Sequence, residues 1–245
     1  MSIEHSPSKE QLIGKSVEEL ICLLPVFSWY HLDALKNREK QEISEIIIVD
    51  YDTHKPRKDG ELYGHIPVIQ GVSISRERLS SYLSPKPERT TGLISLVKLK
   101  ESSDRLKGQN AHLPLIDMDL DIPDLLLNET LSLIKKEIKT KTEIDRGVIL
   151  ASSKKNHLHF IGTERLLSQE QFVTFISLCL TMNDNNGNLL VDPRWAAHSL
   201  SPMKYFKELD KEIDWSAYDI TTRFATLRIA TSERKPDLPK VIDVL

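Results

Sequence analysis

Leu115-Ile116-Asp117-Met118-Asp119 is an apolar run ending in two carboxylates one residue apart. On a strand, alternate side chains share a face, so Asp117 and Asp119 point the same way about 7 Å apart. Leu115, Ile116 and Met118 can anchor the strand while the acids reach a cleft. Two hard oxygen ligands converging on one spot suit Mg²⁺ or Mn²⁺, which hold triphosphates in phosphoryl transfer. The same triplet also occurs at solvated sheet edges and turn starts, so its meaning depends on its company.

Three downstream segments supply that company. Residues 152–160 (SSKKNHLHF) read as a polar turn feeding a strand, with His157 and His159 on one face, opposite Leu158 and Phe160. Such a pair could ligate zinc with a third ligand from elsewhere, donate to a phosphate beside the serine-lysine turn, or face solvent. Leu189-Leu190-Val191-Asp192 delivers another carboxylate. Asp192 before Pro193 also reads as a helix N-cap, and one carboxylate oxygen can do each job. Phe224 to Ile229 carries Arg228 among apolar neighbours. A guanidinium there needs an anionic partner, either a protein carboxylate or a ligand phosphate. Arg194 and His198, one helical turn apart, follow Asp192 and could present to the same cleft.

The elements that must hold these groups are legible as periodic segments. The spacing predicts one amphipathic helix over Ser8–Leu24, stopped by Pro25, and a second short helix over Trp29–Leu35. Ile46–Val49 and Gly92–Leu99 read as strands, with a turn-rich loop over Tyr51–Gly60 and a helix over Ser75–Leu83 broken by the proline-containing segment 84–92. The charged loop 100–110 marks a subdomain boundary. Beyond it come a strand over Leu113–Asp119, a helix capped by Asp124 and running to about Lys139, and paired strands over Gly147–Ala151 and His157–Ile161. A helix opening on the capping-box spacing Ser168-Gln169-Glu170-Gln171 follows. Then come a short strand over Leu189–Val191, a helix from Pro193 to about Leu200, and strands over Phe224–Ala230 and Val241–Leu245. Strands and helices that alternate, with hairpins mixed in, indicate an α+β fold.

Bulk properties exclude little but frame the rest. At 245 residues, 40% hydrophobic and 28% charged, the composition is that of a globular protein with a substantial core. No apolar run approaches the roughly 18 residues of a membrane span, so no membrane role is expected. The polar N-terminus does not read as a secretory signal, and the expectation is a cytoplasmic protein. Cys22 and Cys179 sit in apolar helical patterns and read as buried free thiols. Net charge is −3, so no global basic field advertises nucleic acid, although Arg223 to Lys240 is locally basic.

Apolar-Asp-x-Asp, a small-residue turn ending in a strand histidine, apolar-Asp, and a basic residue on a late strand resemble, in that order, the archaeo-eukaryotic primase superfamily. The resemblance covers roughly residues 110–232. It implies an N-terminal α/β unit (1–108) packed on a mixed unit similar to an RNA-recognition fold (109–245), together one compact catalytic core. It implies Mg²⁺ or Mn²⁺ on Asp117, Asp119 and Asp192. Ser153, Lys155 and His159 would grip nucleotide phosphates, with His157 as the competing register, and Arg228 would offset developing charge. The chain departs from the family in having no cysteine set for a zinc segment, and Lys154, Lys155 and Asn156 where glycines commonly follow the serine.

The activity so implied is a metal-dependent nucleotidyltransferase that uses nucleoside triphosphates to extend a nucleic-acid 3′-hydroxyl or start a primer. Its partners would be single-stranded or primed nucleic acid and a helicase or defence component. Two other classes compete. One is a catalytically silent nucleotide- or nucleic-acid-binding module with the same fold. The other is a zinc hydrolase built on His157 and His159, with His112 and His198 as available extra ligands.

Overall fold

The computed structural model describes residues 7–24, 29–32, 39–52, 68–74, 89–99, 111–120, 122–123, 126–153, 157–201, 223–231 and 236–245. Two antiparallel sheets carry the architecture, which is mixed α+β. The first is built around two long strands, β2 (Glu39–Asp52) and β4 (Arg89–Leu99). β1 (Trp29–Leu32) and β3 (Val68–Ile74) both pair with β2. β5 (Ala111–His112) and β10 (Thr226–Arg228) both pair with β4, and β9 (Leu167–Ser168) adds to β5. Ile46–Val49 and Thr91–Val97 are buried along their whole length, which is why these stretches read as continuous rather than alternating apolar runs.

The second sheet has the order β11-β7-β8-β6, formed by β6 (Leu115–Asp119), β7 (Gly147–Ser153), β8 (His157–Gly162) and β11 (Lys240–Val244). Helix α3 (Leu127–Thr142) crosses from β6 to β7, and helix α4 (Gln169–Cys179) packs against it. β8 therefore lies between β6 and β7, a split β-α-β arrangement. Gly147 faces Phe160 so closely that a Cβ there would fall 2.2 Å from the ring, which explains the missing side chain. Leu115, Ile116, Ile149, Leu158, Phe160 and Ile161 are essentially inaccessible.

Several expected elements are redrawn. The helix over Ser8–Leu24 is two, α1 (Lys9–Leu12) and α2 (Val17–Leu23). Gly14, at φ +81°, ends the first, and the freed backbone pairs with β11 through Gly14 N–H to Val241 O and Val241 N–H to Lys15 O. Trp29–Leu32 is a strand and not a helix, because an available edge at Glu39–Glu42 suits its aromatic, β-favouring residues. α3 starts after Leu126 and not at Asp124, which lies outside the described residues. Leu189–Val191 makes a single bridge, Asn183 to Leu189, in place of a strand. β4 begins at Arg89, inside the expected breaker segment, and β10 spans only three of the seven residues expected. The expected helix over Ser75–Leu83 and the charged loop 100–110 lie outside the described residues.

The first and last elements are tied together. Asp243 on β11 is buried and accepts from Lys9 Nζ at 2.6 Å and Lys135 Nζ at 2.7 Å. Burial opposes its charge, yet the bonds from Lys135 and Lys9 hold its carboxyl below the usual range.

Candidate nucleotide site

The site begins with the register of β6 on β8. Asp117 lies opposite His159 and Asp119 opposite His157, and opposed residues of an antiparallel pair share a face. The result is two rungs. His159 Nε2 stands 3.4 Å from Asp117 Oδ1, with the histidine side chain only 6% exposed. His157 Nδ1 stands 3.1 Å from Asp119 Oδ1, with both side chains open to solvent at 34% and 47%. The strand alternation inferred for both pairs is thus realised, and the two pairs face each other.

β7 contributes a bulge. Ala151 opposes Leu158 while Ser153 opposes His157, so Ser152 is one residue more than the pairing needs. Bulges re-aim side chains beside functional sites. Here Ser152 is wholly buried, and its Oγ receives Arg228 Nη2 at 3.0 Å. Only the backbone of Ser153 is described, and Lys155 lies outside the described residues. Ser152 was not singled out from the sequence, because two adjacent serines before a turn give no sign of which one a bulge turns inward.

Asp192 arrives from the loop after α4. Its N–H donates to the carbonyl of Asp117 at 3.0 Å, so the third acid is adjacent to the first through the main chain. Its Oδ1 caps α5 (Pro193–Ser199) by accepting from Arg194 N at 2.8 Å. The capping role and the placement beside Asp117 coexist, as one carboxylate with two oxygens permits. Trp195, buried on α5, donates its indole N–H to Thr226 O at 2.9 Å and so ties this helix to β10. Arg194 extends into solvent, its Nε 3.8 Å from Asp192 Oδ1, and His198 lies half-buried one turn further along.

Arg228, on β10, is buried. Burial lowers its pKa to about 10, while the charges of Asp237 and Asp117 oppose that fall. It is still cationic at neutral pH, and Asp117 lies within its field.

Carboxylate oxygens are the donors that hard divalent cations take. The chemistry of Asp117, Asp119 and Asp192 fits such an ion, and all three keep some solvent access. As they stand the carboxylates are turned to His159, His157 and Arg194 N. Among the described residues no three His, Cys, Asp or Glu side chains are gathered as ligands of one ion. Further histidine ligands do not come from His112. It is buried and stacked on Phe172 at 4.4 Å, with its ring nitrogens engaged by Ser95 Oγ and Gln169 Oε1. Burial pushes its pKa down to about 3, so it is neutral.

Over residues 80–203, just over half of its length, the chain matches the family described as archaeo-eukaryotic primase 1D-like. The chain belongs to the archaeo-eukaryotic primase family. A comparison with curated proteins returns no match. The matched stretch takes in both acid-histidine rungs, the bulge and Asp192, whereas Arg228 and β10 lie beyond it. No helix among the described residues is long and apolar enough to cross a membrane.

Proposed function

We propose that this protein is a metal-dependent nucleotidyltransferase of the primase-polymerase type, adding nucleotides from nucleoside triphosphates to a nucleic-acid 3′-hydroxyl or starting a primer. The observation that carries the reading is the hydrogen bond from Asp192 N–H to Asp117 O, which sets a third carboxylate beside a strand already bearing two. Family membership supports the reaction class. Asp117, Asp119 and Asp192 would hold Mg²⁺ or Mn²⁺. When bound, such cations supply activation of the hydroxyl and neutralisation of triphosphate charge.

The remaining groups bind and orient. His157 engages Asp119 through Nδ1, so its second ring nitrogen points away from that carboxylate and, in the doubly protonated ring, donates to a phosphate. Ser153, at the end of β7, and Lys155 precede it in the chain and are proposed to bind phosphate with it, and Arg194 and His198 on α5 are proposed as accessory groups. His159, buried against Asp117, orients the carboxylate more than it meets substrate. Residues 1–108 and 109–245 would form the two units of a primase-like core, with the four-stranded sheet as the RNA-recognition-like part. Single-stranded or primed nucleic acid is the proposed polymer, a helicase or defence component the proposed partner, and the cytoplasm the proposed compartment.

The test is incorporation on a primed template with Mg²⁺ or Mn²⁺. Asp117→Ala and Asp192→Asn should each lose at least about a hundredfold in rate. Asparagine keeps the helix cap, so that variant removes charge alone. Wild-type rates in both variants would overturn the assignment. Metal-independent nucleotide binding without product would favour the silent module.

A further inference from the structure

Arg228 stands in the seam between the two sheets. It leaves β10, which pairs with β4 of the seven-stranded sheet, and its guanidinium reaches into the four-stranded one. Both Nη1 protons have acceptors, the carbonyls of Ala230 and Asp237, each at 2.8 Å. Nη2 meets Ser152 Oγ at 3.0 Å. Asp237 leads into β11, and Ser152 is the bulge that opens the histidine hairpin. One side chain thus grips the start of one outer strand, the end of its neighbour and its own following loop.

A phosphate-contacting arginine needs donors aimed at solvent. Here Ser152 is inaccessible, Arg228 is 8% exposed and its Nε is itself buried, so a phosphate could claim the Nη donors only by drawing them off the Ser152 hydroxyl, the buried Ala230 carbonyl and the part-buried Asp237 carbonyl. We infer that Arg228 is a positioning residue that locks the two sheets and aims the Ser152 bulge, and through it the histidine hairpin, without touching the nucleotide. Its functional consequence rests on the nucleotidyltransferase reading; the lock itself does not. Lysine cannot replace it, since a single ammonium lacks the planar fork that serves three acceptors in different directions.

The experiment measures binding of a nucleoside tri-, di- and monophosphate with Mn²⁺, and thermal unfolding, for the full chain and for Arg228→Lys, Ser152→Ala and the double variant. All three nucleotides should weaken by a similar factor, roughly tenfold, in each single variant, and the double variant should be no worse than Arg228→Lys. A loss that grows with each added phosphate, or unchanged affinity in Ser152→Ala, would overturn the inference. If the wild type binds no nucleotide, the nucleotidyltransferase reading fails, and the lock is judged by unfolding alone. A single shared drop in Tm upholds it and additive drops refute it. Should Arg228→Lys not fold, Ser152→Ala carries both readouts.

Discussion

The two acid-histidine rungs share one chemistry and differ in surroundings. The inner rung, His159 with Asp117, has a buried ring, a main-chain bond to Asp192 and the field of Arg228. The outer rung, His157 with Asp119, is shorter but stands in water at the open end of the strands. Two residues of displacement along a strand therefore separate a largely buried pair from a solvent-facing one. An exposed pair is screened and worth little, while a desolvated one is costly to break from one side.

The largest expected effect tests how strongly burial governs a histidine here. Among the described residues His112 has no carboxylate partner, and its folded pKa of about 3 lies below its unfolded value near 6.5. Between those values the unfolded chain binds more protons. Stability is therefore full above about pH 6.5 and falls as pH drops toward 3, with a slope approaching 1.4 kcal/mol per unit. Denaturant unfolding at several pH values should show that limb, and His112→Gln should flatten it.

A smaller effect separates the rungs. His159→Ala should lower stability by about 1–3 kcal/mol, since it opens a cavity and leaves the Asp117 carboxylate without its ring partner. His157→Ala should leave the unfolding free energy within about 0.5 kcal/mol of the wild-type value yet weaken triphosphate binding several-fold. Equal destabilisation by both would erase the distinction. The smallest effect is ionic. Raising salt from about 0.05 to 0.5 M should change the His157→Ala difference by only a few tenths of a kcal/mol, read from paired melting curves.

What could be read in advance follows the same divide between local and long-range causes. The Asp117/Asp119 and His157/His159 faces follow from the period of two alone, and the cap of α5 follows from Asp192-Pro193. Ser168 and Gln171 form the expected capping box. Trp29–Leu32 reads as part of a helix from its own pattern, and it is a partner edge that makes it a strand. The break at Gly14 was hidden within an unbroken apolar stripe, and its cause is pairing with a strand more than 220 residues away. Arg228 showed itself as a cation needing a partner. Its acceptors include the carbonyl of Ala230 two residues on, and the Asp237 carbonyl and Ser152 hydroxyl from distant parts of the chain, which no spacing announces.

The extra residue in β7 makes hairpin length a hidden specification of this protein. Register alternates with a period of two, so deleting one residue between Ala151 and His157 would remove the kink and leave Arg228 reaching for a hydroxyl that has gone elsewhere. The fold should bear exchange of Lys154, Lys155 or Asn156 far more readily than a change in the residue count between Ala151 and His157.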